Sequence, residues 1–203
     1  PALLPDAPQE TDGSATANGL TLVRVAGDRP RCLVIGSPLD LQNWWQAVSD
    51  KATLSSTDSW PLLDIRAGLP SVLDATLEAF VPQMANMQLV NGVSFTKGCY
   101  TGQEVVARMQ YLGSLKRRMY RVRIDTDNCP AAGTELFSPS SSSGQGAGKV
   151  VDARPSPDGG CEALVVTQIS SMEAGDLRLN DASGPALSVL DLPYGFEAAT
   201  KSR

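Results

Sequence analysis

The sequence predicts an α+β protein: a mixed strand-and-helix portion followed by a small antiparallel β-barrel. Three observations carry this. "LTLVRV" (20–25) and "RCLVIG" (31–36) are short apolar strands flanking the turn "AGDRP", and a helix start follows directly. After Gly113 the texture changes to short alternating strands between Gly, Pro, Ser and Asp turns. Apolar residues make up 42% of the 203 and charged residues 19%, a balance that can fill a core. The expected division is residues 1–113 for the α+β part and 114–203 for the barrel.

Residues 1–19, rich in Pro, Ala, Thr and Gly, read as a loop or loose arm. After the hairpin, Ser37 is placed to cap a helix with Pro38 at its first position. Leu41, Trp44, Trp45 and Val48 mark its apolar stripe, one tryptophan facing in and the other partly out. "SWPLLDIRAGLP" (59–70) is an apolar stretch closed by Gly and Pro. "SVLDATLEAF" (71–80) has helical spacing but runs into Val81-Pro82, so any helix there is short. "VPQMANMQLVNGVSF" reads as an extended, partly buried connection. Thr101 with Glu104 three residues on has the form of a capping box, predicting a helix from about Gly102 to Tyr111 that stops at Gly113. Beyond it, "RMYRVRI" sets Tyr120, Val122 and Ile124 on one face. "KVVDA", "CEALVVTQI", "DLRLN" and "ALSVLDL" are further strands, and "SPSSSSGQGAG" (138–148) a flexible loop.

The totals exclude several classes. A net charge of −5 argues against nucleic-acid binding by the whole surface. No apolar run approaches the roughly 20 residues of a membrane span, and no signal peptide is visible. The chain begins at Pro1, which leaves processing or truncation open. Cys32, Cys99, Cys129 and Cys161 are scattered, with no C-x-x-C pair, and fit a reducing, cytoplasmic setting better than a disulfide framework. With no histidine, a zinc site would need unusual ligands, so no metal site is expected. The usual general base and the Ser/His and Cys/His nucleophile pairs are also missing.

The unusual stretch is "KGCYTGQE" (97–104). A cysteine just outside a helix N-terminus feels its partial positive charge, and Lys97 adds a cation; both favour the reactive thiolate. Gly98 and Gly102 let the chain turn tightly and let a ligand approach the backbone. The segment could present a reactive sulfur or bind an anion on its N–H groups. The plainer alternative is a buried Cys99 beside a purely structural helix start. Residues 97–123 also carry seven cations against Glu104 alone, a patch suited to an acidic tail or RNA phosphates, or else a solvated strand face.

These residues resemble the signature K-G-C-[FY]-x-G-Q-E of the YgfZ-type folate-binding proteins, relatives of the glycine-cleavage T-protein. The match runs through Lys97, Gly98, Cys99, Tyr100, Gly102, Gln103 and Glu104, with Thr101 at the free position. "WPLLDIRAGLP", "FVPQMANMQLVNGVSF" and "VVARMQYLGSLKRRMYRVRI" extend it on both sides. The resemblance implies part of a T-protein-like folate-binding domain followed by a C-terminal barrel. It implies binding of tetrahydrofolate or a derivative, and a role in maintaining iron–sulfur enzymes, tRNA-modifying ones among them. Such proteins are not known as aminomethyltransferases, and the resemblance leaves open whether this one is a transferase-like enzyme. Cys99 would be the functional thiol with Lys97 beside it. Trp60, ahead of "LDI-x-AG", would stack on the flat pterin. Tyr100, Gln103, Glu104 and Arg108 would support the loop or touch the ligand. The other three cysteines read as structural. Family members usually carry a further segment ahead of the point matching Pro1, with a second folate-contacting tryptophan, so the chain looks like the C-terminal two-thirds of such a protein. Two rivals remain: a true folate-dependent one-carbon transferase, and a tRNA-binding adaptor using the basic strand.

Overall fold

The computed structural model describes residues 6–113, 115–141 and 146–196. It divides into two compact units between Ser59 and Trp60.

The first unit is a three-stranded antiparallel sheet with a helix. Its strands β1 (Ser14–Ala17), β2 (Leu20–Val25) and β3 (Arg31–Gly36) lie in the order β1-β2-β3. β1 corrects the expectation of a loop over 1–19, of which 1–5 lie outside the described residues. The turn explains it: Asn18 and Gly19 both take positive φ (53° and 77°), as a two-residue hairpin turn of matching twist requires. That turn brings the weakly apolar "SATA" into register with β2, from Ala17↔Leu20 to Ser14↔Val23. Helix α1 (Pro38–Val48) starts as expected, with the Ser37 hydroxyl oxygen accepting from the Asp40 N–H at 3.2 Å. Its apolar stripe is only half-buried, and Trp45 is the exposed member of the tryptophan pair.

In the second unit, "SWPLLDIRA" is helix α2 (Ser59–Ala67), with Leu62, Ile65 and Ala67 buried. Gly68 ends it in the left-handed region (φ 67°), with Gly68 N–H bonded to Ile65 O and Leu69 N–H to Asp64 O. A single 3-10 turn, Asp74–Thr76, is all that forms of the helical spacing over 71–80. The segment 82–91 is a run of tight turns, not the extended connection expected. Asn86 and Asn91 supply the positive φ values (56° and 58°) that turns need. Asn86 is fully buried, and its Nδ2 donates to Met119 O at 2.9 Å. Helix α3 (Gln103–Tyr111) follows.

The barrel comprises β4 (Arg117–Ile124), β5 (Glu135–Phe137), β6 (Gly148–Pro155), β7 (Cys161–Gln168), β8 (Arg178–Leu179) and β9 (Leu187–Leu190), with helix α4 (Ile169–Ala174) after β7. Strand order is β8-β5-β6-β7-β4-β9, every pair antiparallel. A bridge between Arg178 and Ala186, with Leu187 N–H bonded to Leu177 O, closes the curled sheet on itself. Val122, Ile124, Leu136, Val150, Ala163 and Val165 fill the interior, with Tyr120 against them as expected. The outer side is not solvent: Met119, Val151, Leu164 and Val166 pack on Ile65 of α2, with Phe80 and Met84 alongside. All eight residues of β7 are therefore buried.

Two features of the barrel depart from expectation. Cys129 and Cys161 form a disulfide, with Cα atoms 5.5 Å apart, where four free thiols were expected. Their 32-residue separation carries no motif; β4–β7 pairing sets Ile124 opposite Cys161, and the loop after β4 brings Cys129 to it. The segment 138–148 is anchored at both ends: Ser138 and Ser140 bond Asp176, and Gly146 O accepts from Arg117 and Gln168. Residues 142–145 lie outside the described residues.

Candidate functional site

The KGCYTGQE segment is an exposed loop leading into α3. Gly102, not Thr101, is the N-cap; it is left-handed at φ 88° and no side chain caps the helix. This corrects the capping box of Thr101 and Glu104. The chain reverses at Gly102, so the hydroxyl of Thr101 is one residue too early to meet the free N–H groups. Gln103 works in the other direction: its Oε1 accepts from the Tyr100 N–H at 3.4 Å, while its own N–H donates to Tyr100 O at 3.2 Å. Cys99 thus sits one residue further from the helix than the capping box placed it.

Lys97, Cys99, Tyr100 and Glu104 are exposed and contiguous, and Cys99 is a free thiol. The buried-hydrophobe alternative for Cys99 is thereby set aside. A methyl group built on Gly98 or Gly102 meets nothing within 4 Å, so the space beside the thiol is open. Arg108 is exposed one helical turn beyond Glu104. The loop is held from behind: Phe95 packs edge-to-face on Tyr111, ring centres 5.9 Å apart, and Val106 of α3 is buried. The buried Gln83 donates from Nε2 to Val106 O at 2.6 Å. Trp60 stands at the start of α2, 37% exposed.

The basic run over 117–123 is engaged within the fold. Arg117 bonds Gly146 O, and Arg118 lies 4.1 Å above the Phe196 ring. Arg121 bonds Glu162 and Asp191 O, and Arg123 bonds Asp125 and Asp158 O. Glu162 is 4% exposed and also receives Arg66 of α2 at 2.6 Å. Burial pushes its carboxyl up, but hydrogen bonds from Arg66 and Arg121 outweigh that and hold it below the usual range. The strand's arginines are therefore structural cations first, which removes the main support for a tRNA-binding face there.

Among the described residues, two cavities indent the second unit. One, about 210 Å³, is apolar, lined by Val72, Phe80, Pro82, Met87, Val93 and Val151 among others. The other, about 160 Å³, lies by the C-terminal half of α3, between Gln83, Gln88, Met109, Gln110, Arg118 and Phe196. Neither is lined by Trp60, Lys97, Cys99, Tyr100, Gln103, Glu104 or Arg108. Sequence reasoning passed over Gln83, Asn86 and Gln88. The available signal was polar amides inside the apolar "VPQMANMQLV". Among the described residues, no helix is long and apolar enough to cross a membrane.

No protein-family model matches the chain. It is 35% identical over 176 residues to the tRNA-modifying protein YgfZ of Pectobacterium atrosepticum, covering 87% of this chain and 53% of that protein. The YgfZ of Edwardsiella ictaluri is 32% identical over 197 residues, 97% of this chain and 60% of its own length. The chain thus spans about half the length of the first of these relatives. Among solved structures it is similar to the glycine cleavage system aminomethyltransferase T of Bartonella henselae, with TM-score 0.51 and 17% identity over 87% of this chain and 50% of that one, a likeness of fold. Sequence relatives and signature agree, and the fold is like that of a T-protein: the chain is homologous to the YgfZ proteins over most of its length.

Proposed function

We propose that the protein binds a tetrahydrofolate and supports iron–sulfur enzymes, tRNA-modifying ones among them, with Cys99 as its working thiol. The observation that carries this is the exposed Cys99 between two glycines with open space around them, in the signature loop ahead of α3. The relatives' name, tRNA-modifying protein, supports the client class. The residues fit a folate in kind. Trp60 leaves indole surface for a flat ring to stack on, Arg108 is an exposed cation for an acidic tail, and the glycines let a ligand reach the backbone. Tyr100, Gln103 and Glu104 shape the loop, Gln103 by its bond to the Tyr100 N–H. Lys97, two residues from the thiol, is an exposed cation for an anionic partner. On this reading Cys99, the one cysteine of the signature loop, meets a cluster in passing instead of storing one.

Titration of the full-length protein with a reduced folate, read by tryptophan fluorescence, tests the ligand. Saturable quenching that Trp60→Phe largely abolishes is the expected result. Absence of quenching in the parent protein sinks the folate assignment. Cys99→Ala tests the thiol separately: full rescue of cluster-enzyme activity in a null strain by this variant removes Cys99 from the proposal.

A further inference from the structure

We propose that the apolar cavity at the turn 76–79 binds a small amine with an apolar body, a compact aliphatic or aryl group carrying one protonated nitrogen. The cavity holds about 210 Å³, and Val72, Phe80, Pro82, Met87, Val93 and Val151 give it apolar walls. Glu78 is the one charged residue on its lining. It is exposed, and among the described residues its carboxylate has no ion-pair or hydrogen-bond partner. The backbone that carries it is unusual. Thr76–Ala79 has the form of a type II turn: Leu77 lies at φ −57° and ψ 128°, Glu78 at φ 58°, and the Ala79 N–H donates to Thr76 O at 3.1 Å. The third position of such a turn favours glycine or asparagine, because other side chains crowd the backbone there. Of the six non-glycine residues at positive φ among the described residues, five are Asn or Asp, and Glu78 is the exception. Glycine would serve the turn with less strain; the chain holds a carboxylate there instead. Strain of this kind gathers at ligand sites.

The lining narrows the class. An anion would meet Glu78 with no cation on the wall to offset the repulsion. A neutral apolar molecule would fill the walls and gain nothing from the carboxylate. A protonated amine uses both, its body against the apolar walls and its nitrogen at Glu78. The volume falls below the roughly 300 Å³ at which pockets for drug-sized ligands begin, so a single ring or a short branched chain is the right size. Trp60 and the residues of the signature loop do not line this cavity, and the inference does not rest on the folate assignment or on Cys99.

Titration of the full-length protein with phenethylamine and with 3-phenylpropionate, alike in size and opposite in charge, tests it, read by the NMR signals of the valine methyl groups. The amine should shift Val72, Val93 and Val151 and bind about fivefold tighter than the acid. Glu78→Gln keeps the strained turn and should erase that preference. Glu78→Gly should erase it too, while melting no lower than the parent, since glycine suits the turn. Val72→Lys, at a residue 79% exposed, should weaken the amine by a similar factor with the fold intact. Trp60→Phe and Cys99→Ser should leave amine binding unchanged. No binding of the amine at millimolar concentration overturns the proposal. So does equal binding of amine and acid by the parent, or a preference that survives Glu78→Gln. Amine binding that responds to Trp60→Phe and not to Val72→Lys lies at the folate site proposed above and overturns this one.

Discussion

Replacing Glu162 by glutamine should unsettle the second unit more than any single change near Cys99. The carboxylate is 4% exposed and takes hydrogen bonds from two guanidiniums, Arg66 of α2 at 2.6 Å and Arg121 of β4 at 2.7 Å, and from the Ser156 hydroxyl at 3.1 Å. The amide removes the negative charge and leaves two cations facing each other with side chains 19% exposed. Breaking a buried pair in this way costs 3–5 kcal/mol; the partial exposure of both arginines places this case near the lower end, about 3 kcal/mol. For a chain of this size that is roughly a 6–12 °C fall in Tm, read by circular dichroism at pH 7. The acid limb gives a second readout. Glu162 titrates lower in the fold than in the unfolded chain, so its contribution is full above the unfolded carboxyl range, about pH 4.3, and is lost as pH falls through the lower folded value. The parent should therefore lose part of its advantage over Glu162→Gln below about pH 4. A variant melting within about 1 °C of the parent at pH 7 would show that the two arginines do not depend on this carboxylate.

Other outcomes follow from local geometry. Cys129→Ser should lower the denaturation midpoint by an amount equivalent to about 3.7 kcal/mol for a loop of 32 residues, and a reductant should do the same to the parent alone. Gly148→Ala drives a Cβ into Val166 O, forcing β6 from β7; a loss of at least about 1–3 kcal/mol in chemical denaturation is expected. The two glycines beside Cys99 should part company. Gly98→Ala meets nothing within 4 Å and should stay within about 0.5 kcal/mol of the parent. Gly102→Ala must hold φ 88° and should cost about 1 kcal/mol of stability, with a change in alkylation rate of Cys99.

What was legible depended on whether a residue's role is local. The Ser37-Pro38 cap, the Gly68 stop and the alternation of Tyr120, Val122 and Ile124 depend on neighbours a few residues away, and each is where the pattern placed it. The signature was legible as a string, and its exposure agrees with a role in contact. Its capping geometry was not legible, because whether Thr101 or Gly102 turns the chain is decided by a φ value. The turns over 82–91 escaped for a different reason. Their positive-φ asparagines and buried amides answer to carbonyls of α3 and β4, 23 and 33 residues away. The disulfide and the Arg66–Glu162–Arg121 cluster join positions whose proximity exists only after the barrel closes. The charge run over 116–123 left two readings open because a count of cations says nothing of the acids and carbonyls that strand pairing brings alongside.

The double-sided burial of β7 has a practical consequence. Ala163 and Val165 face the barrel interior and Leu164 and Val166 face α2, so one strand serves two cores. The helix-and-turn segment that carries the cysteine loop is held to the barrel through Ile65, Phe80, Met84 and Asn86. Lesions deep in the barrel should therefore behave genetically like lesions in the signature. A screen for loss of function will return substitutions at Leu164 or Met119 alongside those at Cys99. Telling the two kinds apart requires measuring how much folded protein the cell retains.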